Sequence, residues 1–354
     1  MKKFFHSENF VLESGLVLPQ VEVAYQTYGH LSPAGDNVIW VFHALTANAD
    51  VVSWWSGLFG NDKTLDPDTH FIVCANLLGS CYGTTGPSSI HPRTNLRYGL
   101  DFPIYTIRDM VRVHQLLAIH LHIQKIAIGI GGSLGGQQLL EWACMEPERF
   151  EHLIAIATNA QHSPWGIAFN ASQRMALESD STLKSNTTSA GESGLRAARA
   201  IALLSYRNYI TYEKTQHECD ITIRSDYPAD LYQRHQGEKL VHRFDAHTYY
   251  RLTQAMDSHH VGRDRGGIIQ ALANIASKTL IIGIASDVLF PSSEQEILAH
   301  YIPGATLEII PSIYGHDGFL IETDAIQAKC KSFLTKKTLD KTKPNKHSVI
   351  ANSI

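Results

Sequence analysis

Cysteine is scarce in this chain of 354 residues: Cys74, Cys81, Cys144, Cys219 and Cys330 form no spacing framework. That argues against a disulfide-stapled secreted scaffold and reads as the reduced thiols of a cytosolic protein. No run approaches the roughly 18–20 apolar residues that a membrane-spanning helix needs. Lys2 and Lys3 are followed by no apolar stretch before Glu8, so no secretion signal is expected. Charge of one sign is missing as well. Thirty Lys and Arg against 34 Asp and Glu leave a net charge of −4, which argues against a general nucleic-acid-binding surface. Internal repeats are absent. What is present is ordinary globular composition, 44% hydrophobic and 18% charged with 25 Gly and 13 Pro. Such a chain buries a sizeable core unaided, as one large domain or two ordinary ones.

Short apolar runs alternate with amphipathic helical stretches, the pattern of an α/β protein with a mostly parallel sheet. The runs are 38–42, 71–75, 126–130, 153–157, 279–285 and 306–310. They are continuously apolar, as strands covered on both faces are. Residues 106–121 carry a helical apolar period, opened by Thr106 and Asp109 at capping-box spacing. Between about 161 and 277 the strand rhythm stops and helix-like, polar segments follow. An interruption of that length is a subdomain rather than a loop. The expected organisation is a core of residues 1–160 and 278–335, a helical cap of 161–277, and a solvated tail of 336–354.

The segment Gly-Gly-Ser-Leu-Gly at 131–135 matches G-x-S-x-G between an apolar strand and a helix. This is the context of a nucleophile elbow, in which a serine stands on a sharp turn above the sheet. A dinucleotide-binding G-x-G-x-x-G fails here because Gly129 and Gly131 are followed by Leu134. An inert serine on a Gly-rich turn is the bland alternative. A serine needs a base, and in this architecture an acid and a histidine follow in chain order at the ends of later strands. Asp287 follows the run 279–285, and His316 follows 306–310. The chain has 19 His, so position rather than residue type singles out His316. Ser133 is therefore the expected nucleophile, His316 its base, and Asp287 the group that orients the imidazole. Backbone N–H groups of Leu134 and Leu45 are the expected oxyanion hole.

His43 reads as a brace for the loop carrying Leu45. His259-His260 lacks the third ligand of a zinc site, and no metal is expected. Cys81 has no indicated partner and reads as structural. Arg263 and Arg265 read as a polar loop rejoining the core.

The blocks His43–Thr46, Asn76–Pro87, Phe102–Met110, Gly131–Gly136, Ser286–Pro291 and Gly315–Leu320 resemble those of the homoserine O-acetyltransferases. The likeness runs from about residue 10 to 333. It implies an α/β-hydrolase fold with an inserted helical cap, or lid. It also implies acetyl transfer from acetyl-CoA to L-homoserine in methionine synthesis, by a ping-pong route through an acyl-serine. No bound cofactor is implied, since acetyl-CoA is a substrate. By the same resemblance Arg199 pairs with the substrate carboxylate, Asp317 holds its ammonium, and Tyr206 faces the same pocket. Arg199 and Tyr206, seven apart, share one helical face. A cytoplasmic homodimer joined through the cap helices is expected, with no nucleic-acid or membrane partner.

Three segments depart from the family pattern. Ala47-Asn48 stands where a glycine is usual, the segment Asp50–Leu65 keeps Trp54-Trp55 but lacks a Pro-Gly lead-in, and 179–193 is short and Ser/Thr-rich. These loops are expected to border the acyl pocket and its entrance. Succinyl-CoA users and serine acyltransferases share these blocks and are alternatives; a Ser-His-Asp esterase or thioesterase using the same triad is another.

Overall fold

The unbroken apolar runs become the inner strands of one eight-stranded sheet in a computed structural model that describes residues 1–335. In chain order the strands are β1 (Lys2–His6), β2 (Phe10–Val11), β3 (Val17–Leu18), β4 (Val21–Tyr28), β5 (Val38–Phe42), β6 (Phe71–Ala75), β7 (Ile126–Gly132), β8 (Phe150–Ile156), β9 (Lys278–Ile284) and β10 (Thr306–Ile310). Across the sheet they run β1-β4-β6-β5-β7-β8-β9-β10, with β2 and β3 forming a separate ribbon. From β6 to β10 all pairings are parallel, whereas β1 and β4 are antiparallel additions at one edge.

Runs 38–42, 71–75 and 306–310 keep the bounds read from the sequence. Run 126–130 extends to Gly132, because Gly131 and Gly132 still pair with Ala155 and Ile156. Run 153–157 shifts to Phe150–Ile156: Ala157, at φ 45°, has left the extended region. Run 279–285 moves back by one residue. The antiparallel edge was unread because β1 and β4 are not continuously apolar: exposed or half-buried polar residues interrupt them.

All five side chains of β5 are buried, and they divide by the period of two that a strand imposes. Val38, Trp40 and Phe42 belong to one buried apolar cluster with Met110, Leu139, Trp142 and Leu298; Ile39 and Val41 belong to a second with Trp55, Ile326 and Cys330. The helices carrying these partners are α1 (Val51–Trp55), α2 (Ile107–His120), α3 (Leu134–Met145), α10 (Ser292–Tyr301) and α12 (Thr323–Thr335). The capping box opens α2: Thr106 accepts from Asp109 N–H while Asp109 accepts from Thr106 N–H.

Between β8 and β9 lie six helices: α4 (Pro164–Glu178), α5 (Glu192–Tyr206), α6 (Tyr209–Gln216), α7 (Pro228–Val241), α8 (Ala246–Asp257) and α9 (Ile268–Ala273). The path out and the path back are stitched together, His162 N–H donating to His259 O at 3.0 Å and Val261 N–H to Ala160 O at 2.9 Å. Arg265, read as part of a polar loop, does more. It pairs at 2.7 Å with buried Glu141 of α3, which Arg108 also holds at 2.7 Å. Burial alone would push the Glu141 carboxyl up, but the two guanidiniums outweigh it and hold the carboxyl below its ordinary value. Arg263 adds an ion pair to Glu13 at 3.6 Å. The expected tail, 336–354, lies outside the described residues.

Candidate active site

Strand β7 ends in Gly131-Gly132 and α3 starts at Leu134, so a single residue, Ser133, turns the chain from strand to helix. It does so at φ 56° and ψ −127°, a conformation L-residues occupy only under strain. Its N–H donates to Ile156 O at 3.0 Å, and its carbonyl accepts from Thr158 Oγ1 at 2.9 Å and Gln137 N–H at 3.1 Å. The flanking glycines are steric requirements. A Cβ at 131 would stand 2.6 Å from the backbone of Gly135, and one at 135 would stand 2.1 Å from Phe42 O. Only bare backbones let strand, turn and helix cross this closely.

The acid–histidine pair forms between two loops. His316, after β10, places Nδ1 2.7 Å from Asp287 Oδ2, after β9. The other carboxylate oxygen accepts from Leu289 N–H at 2.8 Å and Phe290 N–H at 2.9 Å, so Asp287 is locked and its side chain fully buried. Rings of Phe290 and Phe319 pack the imidazole at 5.1 and 5.2 Å. With Nδ1 committed to Asp287, Nε2 is the nitrogen left for proton transfer.

Ser133 and His316 open onto one cavity of about 310 Å³, with Arg199, Tyr206 and Asp317 also on its wall. Arg199 lies over the Tyr206 ring at 5.4 Å, and that ring is 5.8 Å from His316. Burial pushes the Tyr206 hydroxyl up, opposed by the charge of Arg199. Leu45 lines the cavity on the loop after β5. Leu134 opens α3, so its N–H is a donor that helix geometry leaves without an intrahelical acceptor. A cation, a carboxylate, a hydroxyl nucleophile and a histidine thus share one small space, suited to acyl chemistry on a zwitterion.

Some neighbours were not read from the sequence. Arg207, the residue after α5, places Nε 3.1 Å from Asp317 Oδ2, off the direction of a hydrogen bond, as an ion pair. Burial pushes the Asp317 carboxyl up, while Arg207, Arg199 and His316 pull it down. Gln236, Lys239, Leu240 and Arg243 also line the cavity. The first three share one face of α7 and Arg243 lies two residues past its end, but the surrounding sequence is polar enough to conceal the pattern.

The remaining candidates fall elsewhere. His43 is buried beneath the oxyanion loop, its Nε2 accepting from Leu77 N–H at 3.3 Å and its Nδ1 meeting Ala44 O at 2.9 Å. Burial lowers its pKa to about 4, so the ring is a neutral brace. His259 is buried against Asn159 O at 2.9 Å. The Cys81 thiol is pushed up to about 12, chiefly by burial, which leaves it protonated. Ala47 and Trp54 do line the cavity, whereas no residue of 179–193 is on its wall, contrary to expectation. That segment instead folds on itself: Asp180 accepts from Thr182 and caps the start of α5 through Gly194 N–H at 3.0 Å.

A serine elbow at the end of a central parallel strand, sharing its cavity with an Asp-bound histidine, places the chain among the α/β hydrolases. It matches the family profile of the alpha/beta hydrolase fold over residues 37–323. Within that superfamily the chain belongs to the homoserine O-acetyltransferase family. It is 49% identical to the homoserine O-acetyltransferase of Cyclobacterium marinum over 93% of its own length and 94% of the relative's. Among solved structures, homoserine O-acetyltransferase from Bacillus anthracis superposes with a TM-score of 0.87 at 24% identity, covering 95% of this chain and 97% of that one. The acetyl esterase MekB superposes at 0.81 and 23% identity, covering 95% and 96%. Likeness at this level establishes the fold alone, since one scaffold serves a transferase and an esterase.

Proposed function

We propose that this enzyme transfers the acetyl group of acetyl-CoA to the hydroxyl of L-homoserine, in methionine biosynthesis, by a ping-pong route. His316 takes the Ser133 proton as Oγ attacks the thioester carbon, and Asp287 stabilises the imidazolium that forms. The N–H groups of Leu45 and Leu134 receive the oxyanion. The carbon–sulfur bond then breaks, and the thiolate leaves with the proton from His316. In the second half His316 takes the proton of the homoserine hydroxyl, whose oxygen attacks acetyl-Ser133. The serine ester bond breaks and the proton returns to Ser133.

The observation that carries this reading is the single cavity in which Ser133 and His316 meet Arg199 and Asp317. A cation and a carboxylate beside the nucleophile match the carboxylate and ammonium of an amino acid. An esterase for simple esters has no use for both. Arg199 is assigned to the carboxylate, Asp317 to the ammonium, and Tyr206 to the wall beneath Arg199. The planar guanidinium suits a two-oxygen partner.

Free thiol release from acetyl-CoA, measured with and without L-homoserine, tests the reading. Release should depend on homoserine and disappear in Ser133→Ala. Equal release without the amino acid, or full activity in that variant, overturns it. Succinyl-CoA and L-serine in the same assay, with mass detection of products, decide the donor and acceptor.

A homodimer through the cap is part of the proposal, supported by Trp165, Leu204 and Tyr209, which are 55, 59 and 75% exposed. Light scattering in solution checks it. Reduced cysteines support a cytoplasmic setting; no described helix is long and apolar enough to cross a membrane.

A further inference from the structure

The cavity wall is unbalanced in charge. Arg199, Arg207, Lys239 and Arg243 face it, against one carboxylate, Asp317. Two of these cations are engaged near the reacting centre: Arg207 with Asp317 at 3.1 Å, and Arg199 over Tyr206. The other two are exposed at the mouth, on the C-terminal part of α7 and just beyond it. Among the described residues Lys239 has neither an ion pair nor a hydrogen bond. Arg243 has no carboxylate partner either; its Nη1 donates to Thr46 O at 2.6 Å and Tyr82 Oη at 2.8 Å.

Size makes this asymmetry informative. A cavity of about 310 Å³ is at the small end of ligand pockets and holds an acyl group together with an amino acid. A coenzyme A thioester is far larger, so with its carbonyl at Ser133 its nucleotide end must lie outside. The phosphates of that end then meet whatever side chains rim the mouth. On a chain with a net charge of −4, a rim of cations without carboxylate partners needs a local reason.

Resting on the acetyl-CoA reading above, we propose that Lys239 and Arg243 form the subsite for the phosphate groups of the donor. The donor enters along α7, while the acceptor is read by groups on α5 and on the loop after β10. Gln236, Lys239 and Leu240 share one face of α7 and Arg243 follows two residues past its end, so together they present two cations, an amide and an apolar contact to the pantetheine arm. Arg243, through Thr46 O, also joins this anion subsite to the loop carrying Leu45.

The test compares two donors that share the thioester and the pantetheine arm: acetyl-CoA, and S-acetylpantetheine, which has no phosphate. The wild-type protein should favour acetyl-CoA by about tenfold or more in kcat/KM, equivalent to about 1.4 kcal/mol. Lys239→Glu, and separately Lys239→Gln with Arg243→Gln, should bring that ratio close to one. Added salt should raise KM for acetyl-CoA in the wild type and have little effect with S-acetylpantetheine. Any general damage, such as loss of the Thr46 contact, acts on both donors and cancels in the ratio; turnover of S-acetylpantetheine reports folding. A wild-type ratio of one, or a ratio the variants leave untouched, overturns the subsite and leaves the acyltransferase standing. A wild type that accepts neither donor overturns the acetyl-CoA reading first, and the subsite with it.

Discussion

Arg207 Nε stands 3.1 Å from Asp317 Oδ2, which ties the end of the first long cap helix after the Ser/Thr-rich segment to the residue beside His316. The pair acts on the group assigned to the substrate ammonium, whose carboxyl is on balance pushed up. Burial favours a protonated Asp317, and Arg207 is the first of the charges that oppose it. Arg207→Gln should therefore raise KM for homoserine by about tenfold, with a smaller effect on KM for the donor. The sign in pH follows. Only ionised Asp317 holds an ammonium, so acceptor binding is lost as pH falls through the Asp317 pKa. Removing Arg207 moves that loss to higher pH. An unaltered pH profile of kcat/KM for homoserine would make the ion pair purely structural.

Strain at the nucleophile separates stability from activity. Ser133 sits at φ 56° and ψ −127°, where glycine is at ease and a Cβ is not. Relief of such strain is worth roughly 1–3 kcal/mol, and the extra freedom of glycine in the unfolded chain takes back about 0.4–1 kcal/mol. Ser133→Gly should be more stable than Ser133→Ala by about 1 kcal/mol, with both inactive. Chemical denaturation of the two variants measures the difference; an equal or lower stability for the glycine variant rules out the strain argument.

Gly135→Ala tests the crossing itself. The added Cβ would meet the Phe42 carbonyl oxygen at 2.1 Å, and that oxygen is fixed in the central strand. A loss of about 3 kcal/mol is expected, with activity falling as the oxyanion loop after Phe42 is displaced. Thermal unfolding against wild type is the measurement.

Glu294, in the first turn of the helix after β9, has a carboxyl pushed up to about 7, first by burial and also by the negative charge of Asp287. Its folded pKa lies above its ordinary value, so the native state holds the proton more tightly than the unfolded chain does. Stability from this group is therefore lost as pH rises from the ordinary carboxylate range to about 7. Glu294→Gln should remove that slope and, at pH above 7, gain on the order of 2 kcal/mol over wild type. Denaturant midpoints measured across pH should diverge in that direction; parallel curves would refute the assignment.

Much of the sheet was legible because burial on both faces leaves a plain record. A strand such as 38–42 has only apolar residues, so run and strand coincide. The antiparallel edge left no such record, since its mixed side chains read as neither strand nor loop. At the site, chain order was the guide: a serine on a Gly-rich turn, then an acid and a histidine each just beyond a later strand. His316 stood out among 19 histidines by that position alone. Arg207 had no comparable signal, being one basic residue at the end of an amphipathic helix. The segment 179–193 misled for a related reason, since unusual composition marks a loop without saying which way it faces.

The sequence by itself determined the strands at the heart of the sheet, the Ser133 turn and the order of its partners, because these depend on neighbours a few residues away. Apolar runs, glycine at a crossing and a capping box are local demands that each stretch of chain meets for itself. Only the tertiary structure decided which charges meet. Asp317 could have faced Arg199 alone, yet it pairs with Arg207; Lys239 and Arg243 could have faced bulk solvent, yet they rim the cavity. Electrostatic contacts act through space, so their partners are set by how the cap lies over the sheet, and no spacing along the chain encodes that.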